Sequence, residues 1–164
     1  MADMFNAQEI FKIAEQIERN GAAFYEKAAE RFEGEHRRQL LALSAMERNH
    51  EQQFGALLKE LFNKPEERLE IFDQDNLVGQ YLAAYAQGRI FDLDADPLAA
   101  LGPQPSLADI LRLALEMEKE SVVFYTGIQR AVPEQYGKDK IDRIIDEEIN
   151  HIRLLSEARR ELER

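Results

Sequence analysis

The sequence predicts an all-α protein folded as a single four-helix bundle, and three observations carry that prediction. Apolar residues recur at three- and four-residue steps in four long segments, the period of one buried helical stripe. The segments fall into two pairs with short breaks inside each pair, while a proline-containing stretch of about 42 residues separates the pairs. The two pairs also repeat one another at an offset of about 100 residues. At 164 residues with 45% hydrophobic content, the chain fits one domain with a sizeable core.

The first helix, about residues 6–33, carries Phe11, Ala14, Gly21, Ala28 and Phe32 on one stripe. The segment Phe32 to His36 breaks the pattern, and a second helix, about 36–62, continues through Leu40, Leu43, Phe54, Leu57 and Leu61. Residues 63–105 form the connection. Pro65, Pro97, Pro103, Pro105 and the acidic run Asp92 to Pro97 interrupt it, and a short helix is expected within Asp75 to Gln87, with Leu77, Tyr81, Ala84 and Tyr85 on one face. Ser106, followed three residues later by Asp109, has the pattern of an N-cap with an acidic first turn. It opens a third helix, about 106–131, whose stripe is Leu111, Ala114, Val122, Ile128 and Val132. The fourth, about 138–163, runs through Ile141, Ile144, Ile145, Ile152, Leu155, Ala158 and Leu162. Helices of about 26 residues are roughly 40 Å long. A connection of this length permits a crossover that starts the third helix at the far end of the bundle.

Composition removes several function classes. With 32 acidic and 21 basic residues the net charge is -11, which repels phosphate backbones and anionic membrane surfaces, so neither nucleic acid nor membrane is an expected partner. No stretch approaches the roughly 18 apolar residues of a spanning helix. Met1 to Lys12 does not read as a secretory signal, and the expected location is the cytoplasm. The chain has no cysteine, so any metal must be held by oxygen and imidazole nitrogen.

The apolar stripes are interrupted by polar residues in a repeated way. Glu18 to Tyr25 (ERNGAAFY) matches Glu118 to Tyr125 (EKESVVFY), and Glu47 to His50 (ERNH) matches Glu148 to His151 (EINH). Stepping along the stripes places Glu18 and Tyr25, Glu47 and His50, Glu118 and Tyr125, and Glu148 and His151 toward the core. Glu18 and the Glu47 to His50 pair lie about 12 to 16 residues from the first interhelical turn, and their counterparts lie at similar distances from the second, so all six ligand-type side chains reach one level roughly 20 Å along the bundle. Burying four carboxylates together costs several kcal/mol each unless cations lie among them. No basic residue occupies the stripes, whereas two divalent ions would balance the four charges. E-x-x-H spacing alone is a weak signal, because Glu33 and His36 satisfy it at the first turn, where His36 reads as a solvated residue.

The order Glu18, Glu47-Arg-Asn-His50, Glu118, Glu148-Ile-Asn-His151 resembles the ferritin-like di-iron carboxylate proteins over nearly the whole chain. Tyr25 and Tyr125, seven residues after the glutamates of the first and third helices, make it most similar to the rubrerythrin group. The resemblance implies a ferritin-like bundle with a long crossover and two iron ions. Glu47 and Glu148 would bridge the metals, Glu18 and Glu118 would be terminal ligands, and His50 and His151 would each cap one metal. Tyr25 and Tyr125 would hydrogen-bond to ligating carboxylates. It further implies reaction with hydrogen peroxide or dioxygen through ferrous and ferric states, and a homodimer. Without cysteine there is no rubredoxin domain, so electrons would come from an external donor such as a rubredoxin-like protein. Ser121 stands where rubrerythrins place an extra glutamate, and Glu15, one turn before Glu18, is a candidate spare ligand that reads more simply as a surface residue. The alternatives are an iron-handling ferroxidase or iron-binding protein, a di-manganese site that disproportionates peroxide, and an interaction module whose metal site is structural; manganese and zinc accept the same donors.

Overall fold

In a computed structural model, residues 7–62, 80–81, 84–85, 96–132, 134 and 137–164 are described. Among them are four long helices, α1 (Ala7–Ala29), α2 (Gly34–Phe62), α3 (Leu107–Ala131) and α4 (Lys138–Leu162), with a short 3₁₀ turn at Ala99–Leu101. The first helix stops four residues before the predicted end. The backbone tightens there, Arg31 and Phe32 N–H donating to the carbonyls of Ala28 and Ala29, and Gly34 then takes a positive φ of 64° that a side chain would strain. Gly137, with φ 88°, makes the corresponding reversal before α4. Ser106 caps α3 by a reciprocal box: its hydroxyl accepts from the Asp109 N–H, and the Asp109 carboxylate accepts from the Ser106 N–H. Most of the helix expected at Asp75 to Gln87 lies outside the described residues; Gln80, Tyr81, Ala84 and Tyr85 are helical.

Two hydrogen bonds fix the topology. Tyr25 on α1 donates to Glu118 on α3, and Tyr125 on α3 donates to Glu18 on α1. Each tyrosine lies seven residues, about 10.5 Å, after the glutamate of its own helix. In parallel helices, aligning Tyr25 with Glu118 would carry Tyr125 about 21 Å from Glu18. Only antiparallel α1 and α3 allow both bonds. Since α1 and α2 also form an antiparallel hairpin, α3 must start at the opposite end from where α2 finishes, and the connection crosses the bundle's length.

Two apolar layers fill the interior. One contains Phe11, Phe54, Leu57, Phe124, Ile128 and Ile141, with Tyr85 from the connection buried against Phe124. The other contains Phe24, Leu40, Leu43, Ile110, Leu111 and Leu155. Burial of each such side chain contributes about 1.5 to 3 kcal/mol. The buried carboxylates and imidazoles occupy a polar layer between the two. The fold is therefore a clamp in which apolar layers above and below hold the polar one in place.

Candidate metal centre

Every helix delivers side chains to the polar layer. Glu18 comes from α1, Glu47 and His50 from α2, Glu118 from α3, and Glu148 and His151 from α4; each is at most 4% exposed. The i, i+3 spacing on α2 and α4 stacks glutamate and histidine on one face. His50 Nδ1 lies 2.8 Å from Glu148, 3.4 Å from Glu18 and 3.8 Å from Glu47. His151 Nδ1 lies 3.2 Å from Glu47, 3.2 Å from Glu148 and 3.4 Å from Glu118. The two rings stack 5.6 Å apart.

The donors form two overlapping quartets, Glu18, Glu47, His50, Glu148 and Glu47, Glu118, Glu148, His151, with the ligand atoms of each quartet within 4.8 Å of one another. Glu47 and Glu148 belong to both. Six of the facing atoms, Glu18 Oε2, Glu47 Oε1, both oxygens of Glu148 and the Nδ1 of each histidine, crowd together without hydrogen-bond geometry. Buried polar atoms left unpaired are costly, and so many at one point fit metal ligands. Carboxylate and imidazole together suit iron or manganese.

Electrostatics without metal supports the same reading. Burial pushes the Glu18 carboxyl well above its ordinary range, with Glu47 and Glu148 adding to the effect, and burial with Glu47 raises Glu118 likewise. Burial opposes charge on Glu47 and Glu148 too, but the adjacent imidazoles of His50 and His151 outweigh it and hold both below that range. Against its own burial, His50 is raised by Glu148, Glu18 and Glu47, and His151 by Glu118, Glu148 and Glu47, the latter to about 12. The cluster therefore favours added positive charge among its carboxylates, which bound divalent ions would supply.

Glu147 is a member of this environment that the pattern of stripes does not single out. Its Oε2 lies 2.7 Å from His50 Nε2, so it holds the outer ring nitrogen while Nδ1 faces the cluster. Its only signal was its place beside Glu148, and an exposed-looking helical glutamate is otherwise unremarkable. The repeat puts Met46 at the equivalent position, and His151 Nε2 has no hydrogen-bond partner among the described residues. Ser121 donates its hydroxyl back to the Met117 carbonyl. Glu15 belongs to neither quartet; its carboxylate lies over Gly55, 2.6 Å from where a Cβ would stand. His36 is exposed in the first turn of α2.

Fold and site together define a ferritin-like bundle with a buried carboxylate and imidazole cluster arranged for two metal ions. Among solved structures, a ferritin-like diiron-carboxylate protein from Thermotoga maritima is similar, with a TM-score of 0.69 over 96% of this chain and 97% of that one, at 24% identity. No protein family's sequence profile matches the chain, and no curated protein matches it. No described helix is long and apolar enough to cross a membrane.

Proposed function

We propose that the chain is a di-iron carboxylate oxidoreductase of rubrerythrin-like type that reduces hydrogen peroxide or activates dioxygen, drawing electrons from an external donor. The observation that carries it is the sharing of Glu47 and Glu148 between the two quartets, which suits a pair of metals bridged by two carboxylates. Glu18 and Glu118 are the terminal ligands in this reading, and His50 and His151 cap one metal each. When bound, two ferrous ions supply the two electrons that, with two protons, convert one peroxide into two waters. The protein orients the carboxylates: Tyr25 and Tyr125 each hold one oxygen of Glu118 and Glu18, leaving the other toward the cluster. Glu147 fixes the His50 ring. The surrounding apolar layers exclude bulk water.

The test is anaerobic loading with ferrous iron, metal analysis, then peroxide addition. Two irons per chain, one peroxide consumed per pair and no oxygen released support the proposal. Fewer than two metals per chain would overturn it, and oxygen release by a manganese-loaded protein only would transfer it to di-manganese chemistry.

A further inference from the structure

The polar layer is sealed unevenly. Glu47 and Glu118 are each 4% exposed, whereas Glu18 is 1% and Glu148, His50 and His151 are 0% exposed. Those two residues line a cavity of about 20 Å³ between α1 and α3, which Gly21, Ser121, Glu120 and Tyr85 help to enclose. That is room for about one water-sized molecule. Glu118 belongs only to the quartet of Glu47, Glu118, Glu148 and His151, Glu47 belongs to both quartets, and Glu18, found only in the other quartet, is not part of the lining.

Gly21 accounts for the opening. It sits in the interior of α1, where glycine is disfavoured against alanine. Packing does not demand it: a Cβ there would lie 3.4 Å from Glu47 Cγ, 3.5 Å from Cδ and 3.6 Å from Oε2, ordinary contact distances. What a methyl group would remove is the space beside Glu47. The repeat places Ser121 at the equivalent position on α3, where a side chain is present.

We infer that this cavity is the port through which the oxidant reaches the centre, that it leads to the metal position of Glu118 and His151, and that its size selects hydrogen peroxide or dioxygen over alkyl hydroperoxides. The inference rests on the proposed di-metal function. An alkyl group on the peroxide would have to displace the Tyr85 ring, itself packed on Phe124 at 4.5 Å, or the backbone at Gly21. The port therefore sets specificity by exclusion, with no group needed to recognise the substrate.

The experiment compares wild type, Gly21→Ala and Ser121→Val, loaded anaerobically with ferrous iron, using nitric oxide as a neutral diatomic probe in stopped flow. Both variants keep two metals per chain, and Gly21→Ala melts no lower than wild type. Nitric oxide association slows at least about tenfold in each, roughly 1.4 kcal/mol in barrier, and wild type consumes hydrogen peroxide far faster than tert-butyl hydroperoxide. Unchanged association in both variants overturns the port. So does loss of metal from Gly21→Ala, which would make Gly21 a packing requirement of Glu47, and so does equal use of the two peroxides. If wild type itself takes up fewer than two metals, the functional proposal falls instead.

Discussion

Replacing Glu147 with alanine should separate the two proposed metal positions. His50 is fully buried and its two nitrogens have different tasks: Nε2 lies 2.7 Å from Glu147 Oε2, and Nδ1 points to Glu18, Glu47 and Glu148. Without the carboxylate the ring loses the partner that fixes its tautomer and orientation. Removal of such an outer partner typically costs 10- to 100-fold in metal affinity, about 1.4 to 2.7 kcal/mol. The loss should fall on the quartet of Glu18, Glu47, His50 and Glu148 alone, because among the described residues His151 Nε2 has no hydrogen-bond partner to lose. Anaerobic titration with ferrous or cobaltous ion, followed by calorimetry and ligand-field absorption, should show one site weakened and the other unchanged. Glu147→Gln, which keeps an acceptor without the charge, should fall between. Met46→Glu, which offers His151 the same partner, should tighten the second site. Equal weakening of both sites by Glu147→Ala, or of neither, would refute the reasoning.

Tyr125→Phe or Tyr25→Phe removes the donor to one oxygen of Glu18 or Glu118 and leaves it buried and unpaired, costing about 1 to 3 kcal/mol. Melting temperature should drop by about 2–4 °C per kcal/mol with the fold retained by circular dichroism; no drop would show that the bonds contribute nothing. Phe54→Ala opens a cavity at a fully buried ring packed on Phe11 and Tyr125, at 6.3 and 4.8 Å, and should cost about 3 to 5 kcal/mol in denaturant unfolding. Metal-free protein should be most stable in mild acid. The raised Glu18, Glu118, His50 and His151 contribute stability below the ordinary values of 4.5 and 6.5 that is lost as pH climbs, whereas the lowered Glu47 and Glu148 lose theirs below 4.5. Calorimetry of chelator-treated protein should therefore show a falling melting temperature above about pH 6.5, and a flat or rising profile would contradict the assignment. Metal loading should release protons and strengthen with pH.

Much of this was legible in the sequence because helical period is a local property. The stripes of Phe11, Leu40, Leu111 and Ile141 needed only the spacing of apolar residues, and the Ser106 and Asp109 box needed only adjacency. The convergence of the six ligand-type residues was also accessible, since depth follows from counting residues to a turn. What could not be read was rotation of one helix against another. Glu147 is one residue before Glu148 and so about 100° round α4, and whether that angle meets solvent or His50 depends on how α2 packs beside it. The tyrosines illustrate the same limit: spacing relates Tyr25 to Glu18 on its own helix, but the antiparallel register pairs it with Glu118.

The repeat suggests two interchangeable half-sites, and the side chains around the ligands remove that equivalence. Near the Glu18 and His50 position, Glu147 supports the histidine, and Glu18 and His50 are themselves sealed to 1% exposure or less. Near the Glu118 and His151 position, the histidine lacks an outer partner among the described residues, and the cavity beside Gly21 reaches Glu47 and Glu118. Both differences arise at positions where the halves diverge, Met46 against Glu147 and Gly21 against Ser121, while the six ligand-type residues are duplicated without change. Under the proposed function this asymmetry divides the two positions: the closed one would anchor the pair to the fold while the one beside the cavity would meet the oxidant.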